Sequence, residues 1–165
     1  MEPRIETLAS KKLVGKSQRM SLVNNKTSDL WKRFMLQRNK IQDRIGEAYF
    51  SIQIYDDASY FQDFNPAAEF TKCAMVETDS FLNIPEGMEH RVLEGGLYAV
   101  FIHKGPAKDF PKTAQYIFSQ WLPGSIYSLD HREHFEVLGP KYNTIDENSE
   151  EEVWIPIKLK QPHGS

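Results

Sequence analysis

Apolar positions recur along this chain with two different periods, and each change of period marks a predicted element. From Tyr49 to Tyr55, apolar Phe50, Ile52 and Ile54 alternate with Ser51 and Gln53, the period of a half-buried strand. Asp56 and Asp57 end it, and after a loop around Asn65-Pro66 a second strand is expected over Phe70–Glu77. Upstream, Arg4 to Met20 is strand-like but interrupted at Ser10-Lys11-Lys12. Thr27 or Ser28 then offers an N-cap oxygen to a helix running from Asp29 to about Arg38. Leu30, Trp31, Phe34 and Met35 form its buried face, while Lys32, Arg33, Gln37 and Arg38 turn to water.

The same order returns further along. A strand over Glu89–Leu93, a tight turn at Glu94-Gly95-Gly96 and a partner strand over Leu97–Lys104 read as a hairpin. Asp109 caps a second helix, which tolerates Pro111 in its first turn, runs to Leu122 and stops at Pro123-Gly124. Ala114, Ile117, Phe118, Trp121 and Leu122 make the clearest amphipathic stripe in the sequence. Strands over Phe135–Leu138 and Glu152–Leu159 follow, joined by a solvated acidic connection from Asp146 to Glu151. The two series superpose at an offset of roughly 85 residues, as an internal duplication would. Leu30, Trp31 and Phe34 fall on Ile117, Phe118 and Trp121; Phe50–Ile52 falls on Phe135–Val137; Cys73–Val76 falls on Val153–Pro156. The predicted fold is α+β: a βαββ unit used twice, forming an antiparallel sheet with two helices and pseudo-two-fold symmetry. One domain is expected over 1–160, with half-repeats near 1–80 and 86–160, and 161–165 as a tail outside it.

Composition narrows the function classes. With 40% hydrophobic and 26% charged residues among 165, the chain is neither disordered nor fibrous. Its net charge of −3 argues against direct nucleic-acid binding. No apolar run approaches the ~18 residues of a membrane span, and the N-terminus lacks a secretory pattern, so no membrane association and a cytoplasmic location are expected. The single Cys73 forms no internal disulfide or cysteine zinc cage and reads as a small core hydrophobe. His131 and His134, beside Asp130 and Glu133, read as a charged turn rather than a metal site. No nucleophile elbow or phosphate-cradling loop occurs, and no cofactor is implied. Aromatics, at 12%, are generous enough to wall a pocket for a flat ligand.

Six stretches give a more specific lead. The runs Gly96–Pro106 (GLYAVFIHKGP) and Tyr116–Pro123 (YIFSQWLP) resemble the GyrI-like small-molecule-binding family, the effector-binding domain of AraC-type and MerR-type multidrug regulators. Glu2–Ile5, Leu30–Met35, Phe135-Glu136 and Trp154–Lys158 extend the resemblance over nearly the whole chain. It implies a duplicated βαββ fold that binds cationic aromatic molecules in a cleft between its halves, through a carboxylate at Glu136. It also implies a stand-alone module, because this sequence opens at the module with no helix-turn-helix ahead of it.

Alternation alone favours Glu136 on the water-facing side of its strand, whereas the resemblance puts it in the cleft. Trp121 and Trp31 occupy equivalent helix positions and serve as core or as cleft walls; Tyr98, Tyr55 and Tyr127 are further candidate walls. Tyr49, Trp154, Tyr116 and His103 read as structural. Three functions are consistent with these residues. The first is a binding module for amphipathic cationic aromatic molecules, in sensing or sequestration. The second, implied by hydrolases among the family's relatives, opens strained cyclopropane-bearing genotoxic compounds with Glu136 and Tyr98. The third is an adaptor for a protein partner, or a homodimer.

Overall fold

In the computed structural model, which describes residues 1–139 and 146–161, alternation and helical spacing fold the chain into one curled antiparallel sheet with two helices. The strands are β1 (Arg4–Leu8), β2 (Lys11–Met20), β3 (Tyr49–Ile54), β4 (Phe70–Glu77) and β5 (Glu89–Leu93), followed by β6 (Gly96–Lys104), β7 (Tyr127–Leu129), β8 (His134–Leu138) and β9 (Glu150–Leu159). Helix α1 spans Thr27–Gln37; helix α2 begins at Phe110–Tyr116 and continues through a wider π-type segment, Ile117–Trp121, to a last turn at Leu122–Gly124. The described part of the expected tail is Gln161 alone; 162–165 lie outside the described residues.

The strand order β1-β6-β9-β8-β3-β4-β2-β5 is symmetric about its middle. There β3 pairs with β8, and Ser51 stands directly opposite Glu136. The pseudo-two-fold axis passes through that pair, so β4 on one side answers to β9 on the other. Ser51 faces Ala74 and Glu136 faces Val153, which makes Lys72 and Glu151 equivalent positions flanking the axis. The expected match of Cys73 to Val153 is therefore one residue out. Strand side chains alternate, so a slip of one exchanges faces: Cys73 and Met75 share the face of Trp154, not of Val153.

Three apolar clusters follow from this alternation. Leu13, Phe50, Ile52, Met75, Tyr98, Phe135 and Trp154 pack together on the face away from the helices. On the other face, Leu30 and Phe34 of α1 close over Val14, Ala74 and Val76. Ile117 of α2 likewise closes over Ala99, Phe101, Val153 and Ile155. Each helix thus covers its own half, with the middle of the sheet lying between them.

The predicted hairpin of β5 with β6 does not form. β5 pairs with β2, and β1 pairs with β6, each half lending its first strand to the other. One register holds from Arg4↔Val100 through Leu8↔Gly96 to Gly15↔Glu89, so these four strands make one long, bent ribbon. Gly96 at the bend has φ +139, and a Cβ there would meet the Arg132 guanidinium at 2.6 Å. That arginine holds the crossing: its Nη2 donates to Leu97 O (2.6 Å) and Ile157 O (3.2 Å), Nη1 donates to Gly95 O (3.4 Å), and the ion lies 4.7 Å over the Tyr98 ring.

Both helix caps differ from expectation as well. The Thr27 amide donates to Asn25 Oδ1 at 3.0 Å, so the capping oxygen comes from two residues earlier than Thr27. Asp109 makes no side-chain cap; a 3₁₀ turn at Ala107–Asp109 leads into α2 instead. His103 ties that helix to β6, with Nδ1 2.7 Å from Thr113 Oγ1 and Nε2 3.3 Å from the Pro106 carbonyl.

Candidate functional site

The apolar flanks of Glu136 are a consequence of strand alternation. Phe135 and Val137 face the core behind the sheet, which turns Glu136 and His134 toward the helix-bearing face. The Glu136 side chain is only 12% exposed. Gln53 on β3 donates from Nε2 to its Oε1 at 3.1 Å, and Lys72 Nζ on β4 lies 3.9 Å from the same oxygen. Burial pushes the Glu136 carboxyl above its ordinary range, and Lys72 and the Gln53 amide partly offset this.

Glu151, across the axis from Lys72, is buried and makes no hydrogen bond or ion pair among the described residues. Burial pushes its carboxyl up to about 7; the Glu136 charge adds to that rise and Lys72 opposes it. The expected solvated connection from Asp146 to Glu151 is thus corrected at its end. β9 begins at Glu150, and pairing with β6 and β8 draws Glu151 inward.

Rings crowd the α2 side of this polar floor. Asp57 accepts from the Ser59 amide at 2.8 Å and shapes a 3₁₀ turn, Ala58–Phe61, that carries Tyr60 and Phe61. Phe61 lies between two near-parallel rings, Phe118 (4.8 Å, 22°) and His134 (5.1 Å, 16°). Tyr55 meets Tyr60, Phe61 and His134 with centroids 4.4–4.9 Å apart. Burial, then Tyr60 and Glu136, raise the Tyr55 hydroxyl pKa, so it stays protonated. Burial, assisted by the nearby His131 and Arg132, holds His134 down to about 3 and therefore neutral. An open cavity of about 320 Å³ adjoins this cluster, walled by Tyr55, Phe61, Phe118, Leu122 and His134.

The six residues singled out in the sequence are dispersed. Tyr55 lies close enough to Glu136 to feel its charge and lines the cavity. Trp121 stacks on Tyr127 (6.2 Å, 21°) and meets Phe101 edge-on, further along α2. Tyr127 lies on β7, which pairs with the end of β9. Trp31 packs against Phe34 and Tyr49 on the other helix. Tyr98 is fully buried behind the sheet against Phe135 and Trp154, and its hydroxyl donates to Glu133 O at 2.8 Å. Being on the opposite face, it does not meet Glu136. His131 is exposed whereas His134 belongs to the ring cluster, and both line the cavity.

Sequence reasoning missed Lys72, Gln53 and Glu151 around Glu136, and Phe61 and Phe118 in the ring cluster. Gln53 and Lys72 carried a usable signal, as polar residues inside otherwise apolar strands.

Comparisons with known proteins agree with this architecture. The GyrI-like small molecule binding domain matches residues 1–158. The transcriptional regulator BrlR of Pseudomonas aeruginosa is 26% identical over 159 residues, covering 95% of this chain, and the chain spans 56% of that regulator's length. Among solved structures, SAV2435 bound to tetraphenylphosphonium superposes with a TM-score of 0.73 at 18% identity, over 96% of this chain and 94% of that one. The EcmrR C-terminal domain gives 0.71 at 12% identity, over 96% and 98%.

Proposed function

This chain belongs to the GyrI-like small-molecule-binding domain family, and we propose that it takes up flat, cationic aromatic molecules between its two helix-bearing halves, for sensing or sequestration. The observation that carries this reading is Glu136, a carboxylate 12% exposed at the centre of the sheet, with aromatic rings massed beside it. A carboxylate held largely out of water attracts a delocalised cation that sheds its own water cheaply, and each ring face adds about 0.5–2 kcal/mol. Tyr55, Phe61 and Phe118 supply such faces without imposing one ligand shape. That a structural neighbour has been solved with tetraphenylphosphonium, an aromatic cation, supports the same ligand class. Trp121, Tyr127 and Trp31 stand as outer walls for larger ligands.

The test is titration with tetraphenylphosphonium and with neutral triphenylphosphine oxide. Glu136→Gln removes the carboxylate and leaves the Lys72 ammonium without its counter-charge, so the cation should lose affinity by roughly tenfold or more, about 1.4 kcal/mol, with the neutral compound little changed. Equal losses for both compounds would reject the electrostatic basis.

A further inference from the structure

Glu136 is balanced within the protein: Lys72 faces it at 3.9 Å and the Gln53 amide donates to it at 3.1 Å. Its neighbour across the axis is not. Glu151 occupies the position equivalent to Lys72, is 9% exposed, and has no hydrogen-bond or ion-pair partner among the described residues. On the β8–β9 ladder Glu136 faces Val153, so Glu151 is its diagonal neighbour on the same face, with Cβ atoms about 7 Å apart. Among the described residues two carboxylates therefore share one lysine, and one negative charge is left over.

Resting on the cation-binding reading above, we infer that Glu151 is the residue whose charge a bound organic cation neutralises, and that Glu136 with Lys72 forms an internally balanced floor beside it. The site then matches one positive charge, because a second would meet only the Lys72 ammonium. Cation uptake is coupled to proton loss from Glu151, since its protonated form offers no net charge. The charged groups that set this titration are Glu136 from β8 and Lys72 from β4, while His103 of β6 stands directly opposite Glu151 in the ladder. Both His103 ring nitrogens are engaged, by Thr113 and the Pro106 carbonyl. The Glu151 carboxyl, pushed up to about 7, changes charge near neutrality.

The experiment measures tetraphenylphosphonium affinity from about pH 6 to about pH 8 on the intact chain. Triphenylphosphine oxide provides the uncharged control. The unmodified protein should tighten on the cation by roughly tenfold across this window as Glu151 ionises, while the control stays flat. Glu151→Gln should abolish the slope and hold affinity at the low-pH level. Glu136→Gln should keep a slope displaced to lower pH, because the Glu136 charge helps to raise Glu151. A flat profile in the unmodified protein, or a slope that survives Glu151→Gln, overturns the assignment while leaving cation capture intact. Absence of any preference for the cation at every pH overturns both readings together.

Discussion

Holding Glu151 out of water should have a measurable cost before any ligand is added. In the unfolded chain its carboxyl titrates near 4.5, whereas in the fold it titrates at about 7. Below the lower value both states hold the proton, and the residue costs nothing. Between the two values the unfolded chain releases a proton that the native chain retains, so stability falls as pH rises. Above the upper value the penalty is complete, about 3 kcal/mol at 1.36 kcal/mol per pH unit of separation. Glu151→Gln keeps the shape of the protonated acid and cannot ionise. It should match the parent protein near pH 4 and exceed it by up to about 3 kcal/mol near pH 8, a thermal midpoint higher by roughly 6–12 °C. Urea denaturation of both proteins across this range is the assay. Stability profiles that run parallel from acid to alkaline pH would refute the claim that Glu151 is held largely out of water with no partner among the described residues.

Two further outcomes test other parts of the site. Phe61 stacks between Phe118 and His134 and walls the cavity, so Phe61→Ala should weaken dye binding by removing a ring face; unchanged or tighter binding in stopped-flow titration would refute its role as a wall. Arg132→Ala leaves the carbonyls of Gly95, Leu97 and Ile157 without this donor, and should cost about 3 kcal/mol by urea denaturation, with a loss under about 0.5 kcal/mol counting against its role at the crossing.

Much of the fold was legible because it follows from period. The alternation at Tyr49–Ile54 and the stripe from Ala114 to Leu122 each place an element and its buried face. The duplicated order then implies the pseudo-symmetry. What escaped depends on pairing between distant segments. A turn with two glycines reads equally well as a hairpin or as a crossing, and only contact with Arg132 and β1 selects the crossing. The one-residue slip between Cys73 and Val153 arose because both runs are apolar on both faces, which erases the alternation that would fix the register. Glu151 was hidden for a related reason: it stands in a run of acids whose composition signals solvent, and only the β6–β9–β8 ladder brings it inside. Glu136 was assigned to the cleft through a family pattern alone, since its strand context favoured water. Phe61 sits in a stretch without periodicity, where nothing local indicates which ring turns inward.

The exchange of first strands bears on how this protein could accommodate molecules of different girth. The halves are stitched twice, at the β3–β8 centre and again along the bent ribbon, so they cannot swing apart like the shells of a clam without tearing a ladder. The frame is stiff where it is continuous. Adjustment falls to what is mounted on it: the short turn bearing Phe61, the rings it touches, and the wider π-type segment carrying Phe118 and Trp121. Breadth of recognition would then come from rearranging upholstery inside a fixed chassis.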